Sequence, residues 1–234
     1  TAEIIKTLAP RARQDYVDAL LSGGPVFEKY GITTPMRMAQ FLATIGHESG
    51  GMTIVRENMN YTAKRIRQVW PSRPQAVRFA NNPQGLANSV YGNRMGNRPG
   101  TDDGWLFRGG SFLQTTGRDN YERLEKVTGL PFASDPDTIE DAKAGLVAAC
   151  HEFAPLVKYC DKGVAGFRAV CNAINRGNAL SSLDPIGWVD RQMWLKKATD
   201  ALGATVDADD VLELGDHGPL VKAFQERLTR MGYP

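Results

Sequence analysis

Gly46-His47-Glu48-Ser49-Gly50-Gly51, followed by Arg56-Glu57 and Asn60-Tyr61, is the stretch on which the reading of this chain turns. It sets two acids nine positions apart, with a glycine break between them. On an unbroken helix, nine residues make about two and a half turns and rise roughly 13 Å, which leaves the two carboxylates on opposite faces. Gly50-Gly51 is a helix-stop signal. The chain can therefore fold back and bring Glu57 across from Glu48. Two carboxylates facing each other over a groove are the minimum equipment for hydrolysing a glycosidic bond.

Working outward, Thr34-Pro35 reads as a helix start, and Met38, Phe41, Leu42 and Ile45 make the buried stripe of that helix. Glu48 then falls in its last turn. Residues 2–21 read as one amphipathic helix ended by Gly23-Gly24-Pro25. Residues 62–70 read as a short helix stopped by Pro71, and 74–91 as another, interrupted near Pro83. The Gly-, Asn- and Asp-rich run from Tyr91 to Trp105 reads as a long loop, and Phe107 to Thr115 as a short extended segment. Helices are predicted over 120–128, 137–150, 164–174 and 185–202. Strand signals are few, so the expected class is mainly α, in a domain spanning 1–203. A small, acidic linker, 204–210, follows. Residues 211–234 form a further piece, with Leu220, Val221, Phe224, Leu228 and Met231 at helical spacing.

The chain has 234 residues, 42% hydrophobic and 23% charged, which suits one large folded domain or one domain plus a fragment. No apolar run is long enough to span a bilayer, so the protein is expected not to be membrane-embedded. The N-terminus shows no secretory signal, which predicts synthesis in a cytoplasm. Three cysteines (Cys150, Cys160, Cys171) argue for buried free thiols rather than a disulfide framework. The net charge of +2 is unevenly spread: residues 56–98 carry eight basic groups and one acid, a local +7. A basic region beside a groove can attract an anionic polymer or can simply be a solvated surface. No nucleic-acid-binding signature accompanies it, and no nucleic-acid partner is expected.

Glu48, at the end of an apolar helix, is expected to be partly desolvated and so to keep a proton for use as a general acid. Glu57, among Arg56, Asn58 and Asn60, is expected to stay ionised and to act as base on an attacking water. That arrangement inverts the anomeric centre and needs carboxyl groups roughly 6.5–9.5 Å apart. The plainer alternative has Glu48 in a structural role and Glu57 paired with Arg56. A second cluster runs from Arg108 to Tyr121. Gly109 and Gly110 allow close backbone approach, and Gln114, Thr116 and Asn120 can hydrogen-bond water or sugar hydroxyls. An ordinary turn leading into a capped helix would look similar.

Taken together, Gly46-His47-Glu48-Ser49, Glu57-Asn58-Met59-Asn60-Tyr61, Gln114-Thr115-Thr116-Gly117-Arg118-Asp119-Asn120-Tyr121, Ile174-Asn175-Arg176-Gly177 and Asp190-Arg191 resemble, in order, the family 19 glycoside hydrolases. These are the plant-type chitinases and the endolysins of phages that attack Gram-negative bacteria. The resemblance implies a lysozyme-like, two-lobed helical domain with a central groove and little β structure. It implies Glu48 as acid, Glu57 as base and Thr116 as the residue that positions the water. Gln114, Asn120, Asn175 and Tyr61 would line the sugar subsites, and Arg191 would support the carboxylates. One departure stands out: the family usually reads Arg-Gly-Arg-Gly before the glutamine, and here the residues are Arg108-Gly109-Gly110-Ser111. Residues 211–234 resemble the start of a small helical peptidoglycan-binding module, which points to cell wall rather than chitin.

The expected function is a peptidoglycan hydrolase, an endolysin that is monomeric and acts on wall glycan strands in the periplasm without a cofactor. A chitinase is the first alternative, and a non-catalytic wall- or DNA-binding protein on the same scaffold is the second. A metal site is the weakest reading, because His47-Glu48, His151-Glu152 and His217 do not match the spacing in which two histidines share a helix face.

Overall fold

The computed structural model describes residues 1–204. Residues 205–234, which hold all but the first residue of the predicted linker, the predicted C-terminal piece and His217, lie outside the described residues. Twelve α-helices make the described fold. They are α1 (Ala2–Leu8), α2 (Gln14–Ser22), α3 (Gly24–Lys29), α4 (Pro35–Glu48), α5 (Ala63–Val69) and α6 (Pro83–Tyr91), then α7 (Asp103–Leu106), α8 (Arg118–Thr128), α9 (Ala142–Phe153), α10 (Val157–Cys160), α11 (Gly163–Arg176) and α12 (Trp188–Leu202). Short 3-10 turns precede α6, α9 and α10. The β structure among the described residues is two isolated bridges, Arg56 to Gly110 and Gly110 to Thr115. The fold is mainly α, as the sequence predicts, and no described helix is long and apolar enough to cross a membrane.

Three apolar clusters organise the chain. The largest gathers α1–α4 and α9–α12, with α4 at its centre. Every residue of α4 from Ala39 to Gly46 is buried, so this helix is covered on all sides. Phe41 sits edge-on to Phe27 and Phe153, with ring centroids 5.8 and 5.2 Å away. Each such buried ring contributes roughly 1.5–3 kcal/mol. Buried Gln40 is satisfied by donating to the Cys160 and Gly163 carbonyls at 3.1 and 3.2 Å. Cys150, Cys160 and Cys171 are free and buried in this core, and burial pushes each thiol up to about 12. A second cluster joins Tyr121 and Leu124 of α8 to Ala144 and Ala148 of α9. The third, around Met59, Ile66, Ala76, Leu86, Ala87 and Val90, is a separate small core under α5 and α6.

Several boundaries differ from the periodicity. The segment 2–21 is two helices, because Pro10 lacks the N–H that would continue α1. Gly23 caps α2 and at once begins α3, so the Gly-Gly-Pro stop is also a start. Asp141 caps α9 by accepting from the Ala144 amide, which divides the predicted 137–150 helix into a 3-10 turn and α9. Phe107–Thr115 is a tight turn rather than a strand, with Ser111 and Gln114 at φ +67° and +55°.

Candidate active site

α4 begins at Thr34, whose hydroxyl accepts from the Arg37 amide at 3.2 Å, and it delivers Glu48 as its last residue. Beyond it, Gly50 and Gly51 adopt φ +59° and +75°, the left-handed region open to glycine. The Gly51 amide closes back on the Gly46 carbonyl at 2.7 Å, and Ser49 receives the Thr53 and Ile54 amides. The chain reverses there, as the glycine pair predicts.

The eight predicted site residues fall into two groups. In the first, Glu48 Oε1 lies 2.7 Å from Nη2 of Arg191. The contact is an ion pair rather than an aligned hydrogen bond, since neither that oxygen nor Arg191 Nη1 has a hydrogen-bond partner. Arg191 is 2% exposed, and its Nε donates to the Ile186 carbonyl at 3.0 Å. Asn175 Oδ1 accepts from the Ile186 amide at 2.9 Å. Asn175 therefore braces the loop that braces Arg191, while its side chain stays at the surface. The Glu48 side chain is one-fifth exposed with its Oε1 buried, and its charged partner is a buried guanidinium.

In the second group, Glu57 and Gly109 exchange backbone and side-chain contacts. The Glu57 amide donates to the Gly109 carbonyl at 2.8 Å, and the Gly109 amide approaches Glu57 Oε2 at 3.4 Å. A Cβ on Gly109 would lie 3.1 Å from Gln114 Oε1, 3.4 Å from Glu57 Cβ and 3.4 Å from Thr116 Oγ1. Three of the predicted residues thus surround one point, the open face of Gly109. The Thr116 hydroxyl donates to the Gln114 carbonyl at 2.9 Å, and Asn120 Nδ2 donates to the Thr116 carbonyl at 2.7 Å. Burial, and after it the Glu57 charge, hold the Tyr61 hydroxyl above its ordinary range, and its ring meets Trp70 edge-on at 5.4 Å.

Glu57 does not pair with Arg56. The Arg56 guanidinium donates to the Pro136 carbonyl at 3.0 Å and to Leu106, and faces Glu140 at 3.8 Å.

Tyr91 stands outside the sequence-predicted set. Its hydroxyl donates to Glu57 Oε1 at 2.8 Å, and burial with the Glu57 charge pushes its titration well up. The only hint in the sequence was an aromatic hydroxyl closing a predicted helix. Asp103 stands outside it too. Nearly fully buried, it is gripped by Arg118 at 2.6 and 2.7 Å and by Arg98 at 3.1 Å, and these cations hold its carboxyl far below the usual range. It anchors the start of α8, which carries Asn120. Glu152 backs the 110–115 turn: Thr115 donates to Glu152 Oε2 at 2.8 Å, and burial raises the Glu152 carboxyl to about 7. The departure at Gly110-Ser111 also has a packing basis. A Cβ on Gly110 would come within 2.8 Å of Ile139, and the Ser111 hydroxyl donates to the Gly145 carbonyl. Among the described residues, no group of three or more His, Cys, Asp or Glu is placed to hold a metal ion.

The fold matches solved structures across nearly the whole described region. Chitinase C from Streptomyces griseus HUT6037 superposes with a TM-score of 0.58 at 16% identity, covering 88% of this chain and 77% of that one. A family GH19, class IV chitinase from Zea mays gives 0.54 at 15% identity over 90% and 94%. A bacterial family 19 chitinase gives 0.52 at 17% identity over 89% and 97%. The chain has the fold of the family 19 chitinases. In sequence, it is 39% identical over 107 residues to a glycosyl hydrolase family 19 domain-containing protein of Haemophilus influenzae (strain ATCC 51907 / DSM 11121 / KW20 / Rd). The match takes in 44% of this chain and 54% of the relative, so the chain spans about half the length of the relative it matches. No family model matches the sequence.

Proposed function

We propose that this protein is a glycoside hydrolase that cuts the glycan of the bacterial cell wall with inversion at the anomeric carbon. The observation that carries the reading is the pair of differently held carboxyl groups. Arg191 engages Glu48 Oε1; the other oxygen, Oε2, takes up a proton from solvent and delivers it to the departing glycosidic oxygen. Tyr91 and the Gly109 amide orient Glu57, whose free lone pairs take a proton from water. Thr116 spends its own proton on the Gln114 carbonyl. Its oxygen can therefore accept from the same water and aim it at the anomeric carbon. Gln114, Asn120, Tyr61 and Asn175 offer hydrogen bonds to the sugars. The bond to the leaving group breaks as the water oxygen attacks, so one proton leaves Glu48 and one arrives on Glu57.

Wall glycan is preferred to chitin because residues 58–101 contain no acid. Among the described residues, Lys64, Arg65, Arg67, Arg73, Arg78 and Arg94 of this segment make no ion pair. A polymer bearing acidic stems would meet uncompensated positive charge there. The resemblance of residues 211–234 to a wall-binding module supports the same substrate and an endolysin's action in the periplasm. Chitin is the second reading, favoured by the chitinase names of the structural relatives.

Mass spectrometry of fragments released from purified sacculi, run beside chitin, tests both. New reducing ends from sacculi identify the bond and support the first reading. Soluble sugar from chitin alone supports the second. Release from neither overturns the hydrolase reading.

A further inference from the structure

The last turn of α4 and the first turn of α12 carry two consecutive polar contacts. Glu48 meets Arg191, and one residue earlier on each helix His47 Nδ1 lies 2.6 Å from Asp190 Oδ2. A carboxylate only accepts, so Nδ1 carries the proton in this contact. The α12 end suits the pair, since an anion is favoured at a helix N-terminus. The ring is held from behind, since a Cβ on Gly187 would lie 2.8 Å from His47 Cε1. Trp194 lies over Gly46, where a Cβ would come within 2.5 Å of its ring. Thus the last three residues of α4 are each fixed to α12 by a different contact.

We propose that His47 and Asp190 are positioning residues for Glu48, a role that rests on the hydrolase reading above. Asp190 is 57% exposed and His47 20%, so the pair contributes little to global stability. Its effect is local. Glu48 ends its helix immediately before the Gly50-Gly51 reversal, and helix ends fray. A second tie one residue away fixes the rotation of that last turn, and with it the direction of the Glu48 carboxyl relative to Arg191. Displacements of about 1 Å at a reacting group cost up to a hundredfold in rate.

The test compares His47→Ala, Asp190→Ala, the double variant and His47→Asn, on purified sacculi and on the hexamer of N-acetylglucosamine. Asparagine places an amide N–H close to the Nδ1 position. Each single alanine variant is expected to lower kcat about tenfold with KM within about twofold. The double variant is expected to be no worse than either single one, because one contact is lost in all three. His47→Asn is expected to recover to within about threefold of wild type, and all four are expected to melt within about 2 °C of it. Wild-type kcat in His47→Ala, additive losses, or equal losses in the alanine and asparagine variants would overturn the proposal. If the wild-type protein cleaves neither probe, the hydrolase reading fails, and the crystal structure of His47→Ala decides the pair on its own. Glu48 moved away from Arg191 supports the positioning role, and an unmoved contact overturns it.

Discussion

Glu48 and Glu57 are held by opposite means. Glu48 closes a long helix that runs through the largest core, and its partner is a buried cation on another long helix. Glu57 stands in irregular chain, held by a neutral hydroxyl, a backbone amide and the empty space over Gly109. The first carboxyl is positioned by charge on a rigid frame, the second by close backbone packing beside a small core.

The largest effect expected is on cleavage itself. Glu48→Gln and Glu57→Gln are each expected to lower release of reducing sugar by about 10²–10⁴. The comparison sharpens with an aryl glycoside whose leaving group needs no proton. Glu48→Gln is expected to regain most of its rate on that substrate and Glu57→Gln none of it. Equal recovery in both variants would break the division into acid and base.

Next comes a pH effect confined to the Glu57 half. Glu152, behind the turn that carries Gln114 and Thr116, has its carboxyl raised to about 7 from 4.5, chiefly by burial. The folded protein therefore prefers this group protonated. The stability it contributes is present in full below about pH 4.5 and is lost as pH rises through 7, a change of roughly 3 kcal/mol. Chemical denaturation from pH 4 to 8 is expected to show that decline in wild type relative to Glu152→Gln. The difference between the two removes the opposing contribution of His151, whose titration is lowered by burial and by Arg123. Parallel curves would show that Glu152 is solvated in solution.

A smaller loss is expected at the glycine between the Glu57 partners. Gly109→Ala places a methyl 3.1 Å from Gln114 Oε1 and 3.4 Å from Glu57 and Thr116. These are side-chain atoms with some freedom to give, so about tenfold in kcat is expected, with the protein folded. Unchanged kcat would show that the three groups do not need this spacing.

The same contrast explains what the sequence reveals. The Glu48 half lies on helices long enough for the 3.6-residue period to show, from Thr34 capping α4 to Gly203 closing α12. The reversal at Gly50-Gly51 is written in residue type, because glycine has a reason to be there. Glu57, Gln114, Thr116 and Asn120 show in the sequence as polar groups beside glycines, and their separate roles rest on the family resemblance of their motifs. The convergence of Glu57, Gln114 and Thr116 on Gly109 comes from bridges, positive φ at Ser111 and Gln114, and backbone contacts, none of which follows a period. Tyr91 and Asp103 illustrate the gap. Each acts through a partner in a distant stretch of chain, Glu57 for one and Arg118 for the other, and no local pattern announces a pairing of that kind. The breaks at Pro10 and Asp141 had local signals, a missing amide and a capping acid, which the broader apolar period overrode.

The smallest effect expected is also the most direct probe of the Glu57 half. Tyr91→Phe removes one hydroxyl and keeps the ring that packs on the small core around Met59, Ile66 and Leu86. Stability is expected to change by less than about 1 kcal/mol, since loss of the donor leaves Glu57 Oε1 free to bind water. The catalytic cost is a loosened carboxyl, about fivefold in kcat with KM nearly unchanged, because a hydrogen bond to a charged group contributes about 1.5–3 kcal/mol when fully shielded and less here. Single-turnover kinetics beside thermal melts would check it. A loss as large as that of Glu57→Gln would mean that Tyr91 does more than orient the base. No loss at all would mean that the Gly109 amide and the backbone pairing at Glu57 suffice, and that this half is as rigid as the half built on helices.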